Sequence, residues 1–326
     1  MNKTQKILAG ILLVQFFLAA VVYWPKKDVS GAGEPLFGAL SPQEVTGITI
    51  EGADQQQVSL TKSGEGWVLS TAGDYPVDAE RVTAFLGNVL GITTGRLVTT
   101  TEGSLKQLQV SAEKYAGRIT LAQKDGASRL LYVGSTPGAG STHVRLDGQN
   151  SVYLTDKIKT YTLGSKVTDW IDTTLLNVAV KDIVRIRLMN ANGQYVFTQG
   201  GDSTWAWDGL EEGQTLVETK VLGVVNSTST LRMVAPVGRE VKAEYGLARP
   251  GAELNLEVRE SSGAVTLYRL EVGVRSADGS YYAKVSTSDY VVRLSATYAE
   301  MLLGMRPADL ASAAPTPAEN VVTPTP

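Results

Sequence analysis

The two residue types best suited to nucleophilic and transition-metal chemistry, cysteine and histidine, are nearly missing from the 326 residues, which narrows what chemistry the chain could do. Cysteine is absent and His143 is the sole histidine, which excludes a thiolate nucleophile, a His-rich metal site and a relay of two imidazoles. A Ser-His-Asp arrangement would have to use His143. That residue sits in "GSTHVRL", at the start of an expected strand, and reads as an exposed strand-edge residue rather than a base. The loop before it, "GSTPGAGST" at 134–142, is rich in glycine but has no Lys ahead of its Ser/Thr and leads into a strand. A phosphate loop needs a helix N-terminus, so a flexible hairpin connection is the better account.

Asp169 and Asp172 in "DWID" have a spacing that would put two carboxylates on one helix face, as a metal or an acid/base pair requires. Nothing nearby completes such a site, and Asx capping of the junction explains both. Trp205 and Trp207 point to one side of a strand and, exposed, would stack on sugars. Core packing is favoured, because Trp67 and Leu69 take the same places in an earlier, similar stretch. Arg185 and Arg187 alternate with Ile186 and Leu188 and read as a solvated strand face. No catalytic, cofactor-binding or metal-binding residue is assigned, no cofactor is expected, and the chain is read as no enzyme. A formal charge of −3 draws nothing toward polyanions, so nucleic acid is not an expected partner.

The elements that would position these residues occur twice. Shifted by 138 positions, "EVTGITIEGADQQQVSLTKSGEGWVL" falls without gaps on "DIVRIRLMNANGQYVFTQGGDSTWAW". Val45 meets Ile183, Ile48 meets Ile186, Ile50 meets Leu188, Val58 meets Val196 and Trp67 meets Trp205. Both windows predict a hairpin and a Trp-bearing strand from their period of two. A helix follows in each. In the first, Val82, Phe85, Leu86, Val89 and Leu90 form one stripe behind an Asp78 cap. In the second, Val217, Val221, Val224 and Val225 follow Thr215 and Glu218, which have capping-box spacing. Two more hairpins close each copy, turning at glycines such as Gly126, Gly148 and Gly263, and the last segments, "DKIKTYTL" and "TYAEMLLGM", read as helical.

Ahead of these copies lies an apolar run. Residues 7–24 carry no charge, would span about 27 Å as a helix, and end in Tyr23-Trp24 before Pro25. A retained transmembrane anchor is the preferred reading. A cleaved signal is the alternative, supported by Lys3 and Lys6 but lacking a small-residue cleavage site. The expected organisation is a basic N-terminus (1–6), the anchor (7–24), a stalk (25–34), a first repeat (35–171), a second repeat (172–310) and a disordered Pro/Thr-rich tail (311–326). The expected fold class is α+β: an N-terminal transmembrane helix, then two similar β-rich repeats, each with antiparallel hairpins and one main amphipathic helix.

The tandem hairpin-Trp-helix pattern, the segment "EYGLARPGAELNLEV" and the junction "DWIDTTLLNVAVKDIVRIRL" resemble the domain-of-unknown-function family numbered 4340. The likeness covers nearly all of residues 35–310, although the first copy has "KQLQVSAEKYAGRITLA" where the "YGL..P" segment would stand. The resemblance implies a bacterial envelope protein with its bulk outside the cytoplasm, associated with ABC-type transport systems of the gliding-motility kind. It assigns no catalytic residue. The expected function is therefore a non-enzymatic, membrane-anchored extracytoplasmic accessory protein, single-pass in the cell (inner) membrane. Its expected partners are membrane lipid, through the N-terminal helix, and ABC-type permease or ATPase subunits. The alternative is an envelope module binding glycan or peptide in a cleft between the two repeats.

Overall fold

A computed structural model describes residues 33–138 and 140–313. The strands run β1 (Val45–Gly52), β2 (Gln57–Ser63), β3 (Gly66–Leu69), β4 (Tyr75–Pro76), β5 (Leu97–Thr99), β6 (Gly117–Gln123), β7 (Ser128–Val133), β8 (Thr142–Leu146) and β9 (Val152–Thr155). They continue as β10 (Ile183–Asn190), β11 (Gly193–Gln199), β12 (Trp205–Trp207), β13 (Gln214–Leu216), β14 (Ala235–Gly238), β15 (Ala252–Arg259), β16 (Val265–Arg275), β17 (Tyr281–Val285), β18 (Val291–Leu294) and β19 (Ala311–Ala313). The helices are α1 (Ala79–Leu90), α2 (Glu218–Ser229), α3 (Ala296–Gly304) and the single turn α4 (Pro307–Leu310).

Apart from the small β13-β19 pair, the strands form two antiparallel sheets, ordered β4-β3-β2-β1-β6-β7-β8-β9-β5 and β12-β11-β10-β15-β16-β17-β18-β14. Without β4, the first order becomes the second when each strand is replaced by its later counterpart. The first strand of each sheet shares a further detail. The β1-β6 register slips between Val45 and Gly47, and the β10-β15 register slips between Ile183 and Arg185, which are 138 positions on. A β-bulge stands at the same place in both.

Alternation explains the strands. Leu254, Leu256 and Val258 of β15 are buried while Glu253, Asn255 and Glu257 face outward, the pattern of a sheet with one wet face. In α1, Val82, Leu86 and Val89 are buried at helical spacing, and Asp78 caps the first turn by accepting from the N–H groups of Glu80 (3.0 Å) and Arg81 (3.2 Å). The chain divides into two compact units, Met1–Gln57 with Thr83–Ser165 and Val58–Val82 with Lys166–Pro326. The first is cored by residues such as Ile48, Ile119, Leu121 and Leu131, the second by Ile186, Leu188, Phe197 and Val225.

Several expectations are corrected. The described chain is a β-rich fold with three sheets, and its second half carries three helices rather than one. None of its helices is long and apolar enough to cross a membrane. The longest have 12 residues, about 18 Å of rise against a bilayer core of about 30 Å. The expected N-terminal transmembrane helix, and with it the single-pass membrane architecture, is therefore not found among the described residues. Residues 7–24, where it was expected, lie outside the described residues, as do 314–326 of the tail. "DKIKTYTL" forms only a 3-10 turn at Thr160–Thr162, whereas "TYAEMLLGM", richer in Ala, Met and Leu, forms α3. The Thr215-Glu218 box does not form either. Thr215 lies in β13, where its hydroxyl meets Ser312, and the N-cap of α2 is Val217.

Candidate functional site

A cleft of about 710 Å³ lies in the second compact unit. Four segments wall it: β4 with the N-terminus of α1, the junction around Ile171-Thr173, the loop at Arg232, and the Thr287–Tyr290 turn joining β17 to β18. The antiparallel pairing of Val68 with Pro76 and Leu69 with Tyr75 sets β4 in place, and the Asp78 N–H donates to the Trp170 carbonyl (2.8 Å). Tyr75 and Tyr290 meet edge to face with centroids 4.7 Å apart. Tyr290 is itself held, its hydroxyl donating to the Asp74 carbonyl (2.9 Å) and accepting from Arg239 (2.9 Å), whose guanidinium lies over its ring.

Charged groups converge on the same cleft, most of them occupied by the protein. Arg81 pairs with Asp78 (3.1 Å) and donates to the Asp169 carbonyl (2.9 Å); Arg232 donates to the Thr173 hydroxyl (3.2 Å). Asp172 accepts from the Thr174 N–H (2.9 Å). That backbone bond, then the Thr174 hydroxyl and the nearby Arg232 and Arg81, hold its carboxyl below the usual range. Burial, followed by the Asp172 charge and Tyr290, raises the Tyr75 phenol. The cleft therefore presents a half-buried tyrosine beside two fixed carboxylates, Asp78 and Asp172, and two anchored guanidiniums, a surface suited to recognition by hydrogen bonds and stacking.

The residues singled out in the sequence are dispersed. His143 is not at an exposed edge: it is buried in β8, between β7 and β9. Its Nδ1 donates to the Ser135 carbonyl (2.9 Å), and the Ser135 hydroxyl, 3.1 Å from the same nitrogen, also meets the Leu108 carbonyl (3.2 Å). A carbonyl can only accept, so Nδ1 carries the proton and is no base toward Ser135. Gly138 and Gly140 of the 134–142 loop have positive φ (126° and 70°), as a hairpin connection requires. Asp169 and Asp172 both accept backbone N–H groups, and only Asp172 reaches the cleft. Trp205 and Trp207 are buried and Trp67 is half-buried, so the aromatics of the cleft are tyrosines. Arg187 is exposed, as read; Arg185 is partly buried.

Tyr75, Arg81, Arg232 and Tyr290 had no signal in the sequence. They are brought together by long-range packing, and only the Asp78 cap and Asp172 of "DWID" marked the neighbourhood. Among the described residues no group of three His, Cys, Asp or Glu side chains could hold a metal ion.

No curated protein and no solved structure matches this chain. A family model described as "Domain of unknown function (DUF4340)" matches residues 67–250, more than half of the 326, and the chain belongs to that family.

Proposed function

We propose that this protein is a non-enzymatic extracytoplasmic accessory subunit of an ABC-type transport system, binding a partner polypeptide through the Tyr75 cleft. The observation that carries the reading is the state of the cleft's charged groups. Asp78 caps a helix, Asp172 holds a turn, and Arg81 and Arg232 are tied to a carbonyl and a hydroxyl, so each is a fixed contact point rather than a proton carrier. The missing thiol and the single, inward-facing imidazole agree with a binding role. The basic start and the apolar run at 7–24, read as an export element, support a body outside the cytoplasm. The transport link rests on the family resemblance.

Purification of the tagged full chain from detergent extracts is expected to recover permease or ATPase subunits. The Tyr75→Ala/Arg232→Ala variant is expected to lose them about tenfold, as for a central contact pair. Recovery of the wild-type protein alone would overturn the assignment.

A second reading is favoured by Tyr75 itself, a partly exposed aromatic ring beside planar acid and guanidinium groups, which suits a glycan or short peptide. Saturable quenching of intrinsic fluorescence by an oligosaccharide or peptide, abolished in Tyr75→Ala, would select it over protein binding.

A further inference from the structure

The stretch that departs from the "YGL..P" pattern in sequence is the spatial counterpart of that motif. Residues 105–110 cross the first sheet as a strap, on the face that carries Tyr132 of β7 and Val152 of β9, and residues 243–247 cross the second sheet in the same way. Leu108 passes over Gly134, just after β7, and Tyr245 passes over Gly273 of β16. The approach is so close that a Cβ on either glycine would collide with the carbonyl of the strap above it. Two residues further on, Val110 packs into an apolar cluster with Val152, and Leu247 into one with Val291 of β18.

Between these fixed points stands Gln109 in the first strap and Gly246 in the second, both with positive φ (58° and 69°). Glycine takes that conformation freely, whereas a side chain at the same φ is strained. The neighbours differ to match. A Cβ at position 246 would lie 2.6 Å from Val274 Cγ1, and the smaller Ser135 holds the place of Val274 beneath Gln109. The first strap therefore has a strained corner where the second has a relaxed one.

A buried arginine secures the strained strap. Arg145 of β8 donates from Nε to the Val110 carbonyl (2.6 Å) and from Nη1 to the Gln149 carbonyl (2.8 Å), with its guanidinium over the Tyr132 ring. The bond to Val110 falls on the residue next to the strained corner. In the second sheet Lys284, partly exposed, stands at the place of Arg145. Strain and clamp thus occur together in one strap, and glycine and lysine take their places in the other.

We propose that residues 105–110 form a sprung strap. Gln109 stores strain that favours opening, Arg145 holds the strap shut, and opening is a local event that bares Tyr132 and Val152 for contact while the sheet stays folded. The device is separate from the Tyr75 cleft and does not depend on the role given to it.

Hydrogen exchange of the full chain in detergent, followed by mass spectrometry of its peptides, tests this. The Leu108 and Val110 N–H groups, bonded to the Ser104 (3.0 Å) and Leu105 (2.9 Å) carbonyls, report closure of the first strap, and those of Tyr245 and Gly246 report the second. Corrected for intrinsic rates, the first strap is expected to exchange at least about tenfold faster than β6 and β7 beneath it. Gln109→Gly should slow its exchange about threefold, a gain of protection that damage to the fold cannot imitate. Arg145→Lys should speed it about tenfold, and adding Gln109→Gly should recover part of that loss, with residues 243–247 unchanged throughout. Exchange of the first strap only in step with β6 and β7, no slowing in Gln109→Gly, or equal acceleration of both straps in Arg145→Lys would each overturn the proposal.

Discussion

Glu51 shows how this chain keeps a charge inside without a catalytic purpose. It is buried on β1, opposite Arg118 of β6, and accepts from the guanidinium at 2.9 and 2.6 Å and from the Tyr115 hydroxyl at 2.5 Å. Burial pushes its carboxyl up, but the Tyr115 and Arg118 hydrogen bonds and the Arg118 charge outweigh that and leave it below the usual range. Glu51→Gln retains the shape and removes the charge, leaving a half-exposed arginine that water can partly solvate. We expect a loss of about 2 kcal/mol, measured by urea unfolding. Little of this was legible beforehand. Glu51 follows Ile50 at a position that alternation marks as outward, and only the cross-strand partner makes its burial tolerable. His143 was misread for the same reason, since whether a strand is an edge depends on pairings remote in sequence.

At the level of elements, local signals were read well and non-local ones poorly. The α1 stripe and its Asp78 cap lie within one short stretch, so period and cap chemistry were enough. Thr215 and Glu218 carried an equally good local signal, but pairing with β19 claims Thr215 for a strand. Close approach of backbone is another non-local demand. Gly73, just ahead of β4, has φ +64°, and a Cβ there would lie 2.8 Å from the Cα of Gly238, the last residue of β14. Gly64 has a similar φ of +59° but open space around it. Gly73→Ala should therefore cost about 3 kcal/mol and displace the β4 wall of the Tyr75 cleft, whereas Gly64→Ala should cost about 1 kcal/mol. Comparing urea midpoints of the two variants separates steric clash from backbone strain.

For the molecule as a whole, the repeated sheet order was foreshadowed by the 138-residue shift, because apolar alternation is written into each strand. The Tyr75 cleft was not, because its residues are contributed from positions 75 to 290 and share no spacing rule. Acid should weaken both compact units. Glu51 in the first and Asp278 in the second have folded-state pKa values below their ordinary ones. Asp278 is lowered from 3.8 to about 2, chiefly by Ser280, whose hydroxyl donates to it, with Ser276 and Arg293 adding to the effect against partial burial. Such groups add stability that is complete above the ordinary pKa and lost as pH falls through the folded one. Asp278 is partly exposed, so its share is screened to about 1 kcal/mol. Thermal midpoints should fall between pH 4 and about 2, and Asp278→Asn should flatten that fall. The outermost strands β4 and β14 each contain a proline, Pro76 and Pro236, which removes a donor from the rim of a sheet. A chain that has already stacked hairpin upon hairpin twice is thereby discouraged from recruiting a neighbour's strand at those rims, and fibril growth there is blocked at its first step.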